Sequence, residues 1–496
     1  MEILRVNEIL KAIGGKLVNK VDISVKKGKI FGISTDTRTI KKGDLFIALK
    51  GKNFDGHEFI KDAFEKGACG AVISKKMGTG SLKNRDTSYF FPYESANASF
   101  LKKYGKCPYF LIKVKDTLRS LQDLASYYRS KFNTTVIGIT GSNGKTTAKE
   151  LVYCCISKKY EMLKNEGNFN NEIGVPLTLF NINSGHKFIV LELATNNFGE
   201  IKRLTEISKP KIGVVLNVGL THTEFLKDIK GVSSAKQELV EALPEDGFAV
   251  LNYDDKNVIA MKNKARCRRC LTFGINEQAE IRATNMEDLK DIGMKFDLNI
   301  NNSSTKICIK LIGKHNIYNA LAAAACSYIA GLNIDEIKNG LESFIPGLPG
   351  RWNVIIKNNI RIIDDSYNAN PESMVAAIRT FLNLNNTVHV STSHKKILVL
   401  GDMLELGSDA RDLHRSIGNM IAGIRIKGEV FLFTFGSLAS EIGLGAEDKG
   451  FEQNNIISLN DKNELVDCIN KIIRPGDSIL IKGSRGMKME EIVRSI

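Results

Sequence analysis

The chain has 496 residues, of which 43% are hydrophobic and 25% charged, and its formal net charge is +15 at pH 7. This length predicts about three domains, and no apolar run approaches the roughly 18–20 residues of a membrane span. The partly acidic, amphipathic N-terminus does not fit a secretory signal, and nine cysteines without a disulfide framework indicate a reducing cytosol. The basic residues are scattered without aromatic interleaving, which favours attraction of small anions over nucleic-acid binding.

Residues 1–132 are predicted to form a small α/β domain. A helical pattern from Val6 to Ile13 leads into short strands and glycine turns, followed by a helix in HEFIKDAFEKGA and a strand in CGAVIS. The polar stretch 77–106 is predicted to be a surface insertion. The segment DTLRSLQDLASYYRSKF predicts a helix that leads out of the domain.

Residues 133–350 are predicted to form a central domain built on a parallel sheet. Helical segments separate four apolar runs, TVIGIT, FIVLEL, KIGVVLNVG and GFAVLNY. Such runs are typical of strands that are covered on both faces. An alanine-rich helix, HNIYNALAAAACSYIAG, and the linker FIPGLPGR close the domain.

The most informative motif is TTVIGITGSNGKTT, from Thr134 to Thr147. It joins a strand, a glycine-rich turn and a helix, which is the order of parts that a phosphate site requires. Backbone N–H groups and the helix N-terminus attract the anion, the lysine adds a full charge, and a threonine hydroxyl suits Mg²⁺. The spacing departs from the strict P-loop pattern, because Gly138 lies one place early and Ile139 takes its position. The residues predicted to bind the triphosphate are Gly141, Ser142, Asn143, Gly144, Lys145, Thr146 and Thr147.

Residues 351–496 repeat the alternation of strands and helices and are predicted to be a second, Rossmann-like α/β unit. The predicted strands are RIIDDS, KILVLGD, EVFLFTFG and DSILIKGS. The chain as a whole is therefore predicted to be an α/β protein with a small N-terminal domain, a central P-loop domain and a Rossmann-like C-terminal domain.

Polar residues lie at the carboxyl ends of several predicted strands, where ligands bind in open parallel sheets. Thr146, Glu192 and His222 come from three strand ends of the central domain, so we expect them to converge on the Mg²⁺ that accompanies a nucleotide. Two alternatives stay open: Glu192 could pair with a basic side chain, and His222 could be an ordinary loop histidine. Lys236 follows in a predicted helix, and composition alone does not single it out.

Ordered strings along nearly the whole chain resemble those of the Mur ligases, the ATP-dependent amino-acid ligases of peptidoglycan synthesis. Among Mur ligases they are most similar to the type that adds D-alanyl-D-alanine to UDP-N-acetylmuramoyl-tripeptide. Relative to that pattern, the stretches 77–106 and 383–396 are longer. The strings are STDTR, KKGDLFIALKG, DGHEF, TGSNGKTT, GNFNNEIGVPLTL, LELATNNFGEI, NVGLTHTEF, SAKQEL, GKHNIYNALAAAA, PGRWN, DDSYNANPESM, LGDMLELG and KGSRGMKME.

The resemblance implies roles for particular residues. Thr146 and Glu192 are implied Mg²⁺ ligands, with His222 near a second ion, and Lys236 matches a lysine that is carbamylated in many members and then bridges to metal. The implied catalytic residues are Lys145, Lys236, His222 and Arg351. Beyond the loop, the implied ATP contacts are Asn319, Arg351, Asp365, Tyr367 and Asn368. The implied substrate contacts are Ser34, Thr35, Asp36 and Arg38 for the uridine nucleotide, Asn170 and Asn171 for the growing peptide, and Lys482, Ser484 and Arg485 for the incoming dipeptide.

The implied reaction consumes ATP with Mg²⁺. The terminal carboxylate of the tripeptide is phosphorylated, and the amine of D-alanyl-D-alanine attacks the acyl phosphate. The N-terminal domain then holds the UDP-sugar, and the C-terminal domain binds the dipeptide and closes on ATP. We expect a cytoplasmic monomer that binds no nucleic acid and has no membrane span.

Three alternatives remain from the sequence. The first is another Mur-like ligase, of the diamino-acid-adding, folylpolyglutamate or cyanophycin type, although DDSYNANPESM lacks the Asp-Asn-Pro-Arg string of the diamino-acid-adding enzymes. The second is a nucleic-acid-stimulated P-loop NTPase, motivated by the net positive charge. The third is a non-catalytic nucleotide-binding scaffold.

Overall fold

The computed structural model describes residues 1–18, 28–51, 54–75, 109–384, 394–425 and 428–496. Two compact units make up the chain: one holds residues 1–136, 160–193 and 202–210, and the other holds 137–159, 194–201 and 211–496. The insertion predicted at 77–106 lies outside the described residues, as does most of the one at 383–396. None of the helices in the described ranges combines the length and apolarity needed to cross a bilayer.

The first unit contains a five-stranded sheet in the order β2-β7-β6-β5-β4, in which only the β2–β7 pair is antiparallel. Every residue of β5 and β6 is buried, as expected for strands covered on both faces. Strands β1 and β3 form a separate antiparallel pair, and β9 and β10 pair in parallel. The strands are β1 (Leu4–Arg5), β2 (Lys16–Leu17), β3 (Lys29–Ile30), β4 (Gly32–Ser34), β5 (Asp44–Ile47), β6 (Gly70–Ile73), β7 (Phe110–Lys113), β9 (Met162–Lys164) and β10 (Phe188–Glu192). The helices up to the phosphate loop are α1 (Val6–Ile13), α2 (Ile60–Glu65) and α3 (Thr117–Ser130).

The central sheet of the second unit contains the order β16-β15-β14-β13-β12-β11-β8. Strands β8, β11 and β12 run parallel, as predicted. The parallel pairing continues from β12 through β13 to β14, and β14, β15 and β16 form an antiparallel ribbon; strands β13 to β16 were not predicted. The strands are β8 (Thr135–Thr140), β11 (Ile212–Val215), β12 (Phe248–Asn252), β13 (Arg269–Gly274), β14 (Ile281–Asp288), β15 (Met294–Ile300) and β16 (Ser303–Ile309).

The helices of the middle third include two that pack closely together. Helix α10 contacts α4, and its buried alanines from Ala320 to Ala325 permit this close approach. The helices are α4 (Lys145–Ile156), α5 (Gly174–Leu179), α6 (Glu200–Ser208), α7 (Thr223–Leu226), α8 (Ile229–Glu241), α9 (Lys256–Ile259), α10 (His315–Ile329) and α11 (Ile334–Glu342).

The C-terminal part of the second unit is a six-stranded sheet in the order β17-β18-β22-β19-β20-β21. All neighbours are parallel except the edge strand β17, and buried apolar clusters cover the sheet, as predicted for a doubly wound unit. The strands are β17 (Asn353–Lys357), β18 (Ile360–Asp365), β19 (Lys396–Gly401), β20 (Val430–Phe435), β21 (Ile456–Leu459) and β22 (Ser478–Lys482). The helices are α12 (Pro371–Leu382), α13 (Ala410–Ala422), α14 (Ser440–Asp448), α15 (Lys462–Ile472) and α16 (Glu490–Ser495).

His414, on α13, is a buried histidine that fixes the loop after β19. Its Nδ1 lies 2.6 Å from the Ala410 carbonyl oxygen, and its Nε2 accepts a 2.8 Å hydrogen bond from the Met403 N–H. Burial lowers the pKa of His414 below its usual value. The folded protein therefore disfavours the charged imidazole, whereas the unfolded chain does not. The contribution of His414 to the free energy of unfolding is complete above the unfolded-state pKa of about 6.5, and it is lost as the pH falls below that value.

We therefore expect His414→Gln to lower the melting temperature by about 2–5 °C at pH 7.5, and to lower it less at pH 5.5. Differential scanning fluorimetry of both proteins across this pH range measures the difference. A deficit that stays constant or grows as the pH falls would contradict this account of His414.

Candidate active site

The predicted strand, turn and helix of the phosphate site all form. Strand β8 ends at Thr140, and α4 begins at Lys145 with Gly144 as its N-cap at φ 83°. A side chain at Gly144 would also overlap the Asn319 Oδ1 atom, so both the backbone angle and the space require glycine here. The N-terminus of α4 therefore lies directly after the loop, which is where an anion site requires it.

Contacts with the segment that follows β11 hold the phosphate loop in place. The Ser142 and Asn143 N–H groups donate to the backbone and side-chain oxygens of Asn217, at 3.1 and 2.8 Å. The Asn217 amide donates back to the Asn143 carbonyl, and the Ser142 hydroxyl accepts from the Gly219 N–H at 2.8 Å. These hydrogen bonds hold the loop in one conformation. Sequence reasoning missed Asn217, although it is a polar residue at a predicted strand end.

Two lysines meet at this loop. The Lys145 Nζ donates to the carbonyl oxygens of Gly141 and Ser142, at 2.8 and 3.1 Å. Lys236, on α8, is only 2% exposed, and burial, together with the positive charge of Lys145, holds its pKa well below the usual value. Within the described ranges, no carboxylate forms an ion pair with Lys236. Burial thus favours the neutral form of this amine over the charged one.

His222 is held by a carboxylate that the sequence did not indicate. It lies in the left-handed region at φ 56°, directly before α7, and its Nδ1 is 2.5 Å from the Glu405 Oε2. The hydrogen bond with His222 lowers the pKa of Glu405. His222 thus has a carboxylate partner, and its place near a metal ion stays a prediction.

Glu192 ends β10 in the first unit and is 1% exposed. Its Oε1 accepts a 2.9 Å hydrogen bond from the Asn170 amide, while the Asn165 side chain bonds both its N–H and its carbonyl. The Asn171 Oδ1 accepts from the backbone of Ile173 and Gly174. The convergence of Glu192 with Thr146 and His222 stays a prediction.

No three histidine, cysteine or acidic side chains of the described chain lie together as a complete metal site. Mg²⁺ is commonly held by one or two carboxylates, water and the phosphates of a substrate. The Thr146 hydroxyl and the Glu192 carboxylate each offer an oxygen donor of the class that Mg²⁺ prefers, so each residue fits the ion by its chemistry.

The predicted ATP residues of the C-terminal part lie together. The Arg351 guanidinium lies 3.9 Å from the centre of the Tyr367 ring, and the Arg485 guanidinium lies 5.9 Å from it. The Lys482 Nζ donates to Asp365 at 2.6 Å and to the Asn368 carbonyl at 3.0 Å. The ammonium of Lys482 is thus engaged in holding the Asp365–Asn368 loop.

The C-terminal part also contacts the phosphate loop. The side chains of Asn143 and Asn370 form a pair of amide hydrogen bonds, of 2.7 and 3.3 Å. The Asn319 amide donates to Asn316 on the first turn of α10, at 2.9 Å. Ser484 is buried, and its hydroxyl accepts from the Leu404 N–H.

The residues predicted for the uridine nucleotide form one turn after β4. The Ser34 hydroxyl bonds the Asp36 backbone, and Thr35 lies between them. Arg38 pairs with Asp36 at 2.6 Å and is 84% exposed. Hydrogen bonds from Arg38 lower the pKa of Asp36 below its usual value.

Three domain families match the chain in succession. "Mur ligase family, catalytic domain" matches residues 29–129, "Mur ligase middle domain" matches 139–327, and "Mur ligase, glutamate ligase domain" matches 350–485. The predicted boundaries at 1–132, 133–350 and 351–496 stay predictions.

Curated relatives and solved structures match over nearly the full length. The UDP-N-acetylmuramoyl-tripeptide–D-alanyl-D-alanine ligase of Bacillus subtilis is 33% identical over 99% of this chain and 98% of its own length. The ligase of the same name from Escherichia coli is 32% identical over 94% and 93%. A crystal structure of MurF from Acinetobacter baumannii has a TM-score of 0.83 at 27% identity and covers 100% of this chain and 98% of its own. MurF ligase from Thermotoga maritima in complex with ADP has a TM-score of 0.75 at 26% identity, over 94% and 96%. These matches confirm the predicted three-domain α/β fold.

Proposed function

This chain belongs to the Mur ligase family, and we propose that it joins D-alanyl-D-alanine to UDP-N-acetylmuramoyl-tripeptide in a reaction driven by ATP. The observation that carries the proposal is the ordered phosphate loop, with Lys145 beside the buried Lys236, in a chain that aligns from end to end with ligases of this name. The phosphate loop is the basis for assigning ATP as a substrate. The names of the relatives are the basis for assigning the UDP-sugar tripeptide and the dipeptide.

The phosphate loop provides the charge that phosphoryl transfer requires. The N–H groups at the start of α4 and the ammonium of Lys145 surround the triphosphate and neutralise charge that spreads over the transferring group. Thr146 and Glu192 would hold Mg²⁺, which when bound supplies further neutralisation of the phosphate oxygens. Arg351, stacked on Tyr367, presents a second fixed cation.

The chemistry joins a carboxylate, a poor electrophile, to an amine. The terminal carboxylate of the tripeptide takes up the γ-phosphoryl group and ADP leaves. The amine of D-alanyl-D-alanine then attacks the acyl carbon, and the tetrahedral intermediate expels phosphate as the amide forms. Exclusion of water protects the acyl phosphate, which is the role we assign to closure of the C-terminal part over the phosphate loop.

Lys236 is proposed to carry a carbamate. Its neutral amine attacks CO₂, the new N–C bond forms, and one proton is released. The product is a carboxylate-like group beside the Lys145 ammonium. Burial and the lowered pKa of Lys236 support this chemistry, because only the neutral amine reacts.

The remaining substrate contacts are proposals of the same kind. We assign the turn from Ser34 to Arg38 to the uridine nucleotide, and the pair Asn170 and Asn171 to the growing peptide. Ser484 and Arg485 are assigned to the dipeptide, with Lys482 holding the neighbouring loop. We also propose that the enzyme is a cytoplasmic monomer and that its nucleotide carries Mg²⁺.

A phosphate-release assay with each substrate withheld in turn tests the function. We expect rapid release only when ATP, UDP-N-acetylmuramoyl-tripeptide and D-alanyl-D-alanine are all present. Release with a free diamino acid in place of the dipeptide would assign the chain to another type of Mur ligase. Release stimulated by DNA or RNA would overturn the proposal altogether.

A further inference from the structure

We infer that Glu405 is a positioning residue for the ligation, acting by fixing the orientation and tautomer of the His222 imidazole. The inference deepens the proposed function and rests on it. Glu405 belongs to the loop after β19, and His222 belongs to the segment after β11, so the pair joins the C-terminal sheet to the central sheet within the second unit.

The contact determines which ring nitrogen carries a proton. The Nδ1 atom of His222 lies 2.5 Å from Glu405 Oε2, and a carboxylate can only accept a hydrogen bond. His222 Nδ1 is therefore the donor, and in the neutral ring Nε2 holds the lone pair. No hydrogen bond joins Nε2 to a residue in the described ranges, and the His222 side chain is 24% exposed. In many proteins a carboxylate accepts the hydrogen bond of one ring nitrogen and thereby fixes the tautomer and orientation of a histidine that binds metal or acts in catalysis through the other nitrogen.

The loop that carries Glu405 is rigidly anchored. The Met403 N–H donates to the buried His414, and the Leu404 N–H donates to the Ser484 hydroxyl. Glu405 itself has φ 62°, in the left-handed region that residues other than glycine rarely adopt. Strained backbone persists where surrounding contacts impose it, and it concentrates at functional sites.

The segment 219–224, which carries His222, is bonded on one side to the phosphate loop and on the other to the C-terminal part. On one side, the Ser142 hydroxyl of the phosphate loop bonds Gly219 and Thr221. On the other side, hydrogen bonds run to the C-terminal part: Leu220 N–H to Glu372 Oε1 at 2.8 Å, Thr223 Oγ1 to the Leu406 carbonyl at 3.1 Å, and Glu224 N–H to the Glu405 carbonyl at 3.2 Å. His222 therefore receives its orienting carboxylate only when the C-terminal part is docked beside the phosphate loop.

The test compares Glu405→Gln with Glu447→Gln, a change of the same kind at an exposed position of α14. We expect Glu405→Gln to lower kcat by about 10- to 100-fold with little change in the KM for ATP, because the altered group acts through His222. Glu447→Gln should match the wild type. In a His222→Asn background, Glu405→Gln should have little further effect. An unchanged kcat in Glu405→Gln, or an equal loss in both backgrounds, would overturn the inference.

A second readout needs no substrate. With ¹⁵N-labelled histidine in the full-length protein, long-range ¹H–¹⁵N spectra report the tautomer of each of the seven histidines, and His222→Asn assigns the signal. We expect a protonated Nδ1 at His222 that is lost or mixed in Glu405→Gln. An identical His222 signal in both proteins contradicts the inference. Absence of ligation by the wild type would instead refute the proposed function, and the spectra would still decide the role of Glu405.

Discussion

Replacing Lys145 by alanine is expected to lower kcat for ligation by about 100- to 1,000-fold, as loss of a single preorganised charge donor does in other enzymes. The Lys145 ammonium lies over the loop, bonded to the Gly141 and Ser142 carbonyls, where it can turn to the phosphates. Steady-state phosphate release with both acceptor substrates present measures the effect.

Lys158→Ala is the matched control for this change, because Lys158 is exposed just beyond the same helix. We expect it to retain wild-type turnover and melting temperature. Turnover near the wild-type value in the Lys145 variant would mean that the loop is not the phosphoryl-transfer site. It would then favour the nucleotide-binding scaffold that the sequence left open.

Lys236→Ala is expected to lower kcat by about 100-fold, because it removes the group that balances charge beside the triphosphate. Lys236→Glu should recover part of the lost kcat, because its carboxylate carries the same charge as the carbamate, although on a shorter side chain. In the wild type, ¹³C-bicarbonate should give one carbamate signal, which Lys236→Ala abolishes. This signal should weaken as the pH is lowered, because protonation removes the amine that reacts with CO₂.

Lys230→Ala, at an exposed position on the same helix α8, provides the comparison for Lys236. It should keep both the carbamate signal and the activity. Full activity in Lys236→Ala would refute a catalytic role for Lys236. Full activity in the wild type without any carbamate signal would be compatible with a catalytic role of Lys236 as an unmodified lysine. It would refute the carbamylation.

Much of the fold follows from the pattern of apolar runs. β8, the glycine turn and α4 were predicted correctly because a buried strand, a glycine-rich turn and a helix each have a strong local signal. The ribbon β14–β16 was missed: in β15 every second residue is buried, which is typical of an antiparallel strand covered on one face. The edge strands β17 and β21 were also missed, because both are only partly buried and their apolar runs are short.

The site was only partly accessible from the sequence. The phosphate loop is a local motif and could be predicted directly. Glu405 and His222 are 183 positions apart, so their contact exists only in the folded chain. Lys236 was indicated by family resemblance alone, since one lysine among many gives no sign of burial until the structure places it beside Lys145.

The most direct test of carboxylate activation uses UDP-N-acetylmuramoyl-tripeptide labelled with ¹⁸O in its terminal carboxylate. If the carboxylate is phosphorylated and the amine displaces phosphate, one labelled oxygen must appear in inorganic phosphate for each amide formed. Mass spectrometry of the released phosphate and of the ligated product measures both quantities. We predict equal amounts of singly labelled phosphate and amide. Amide formation with unlabelled phosphate, or label in AMP, would contradict the mechanism.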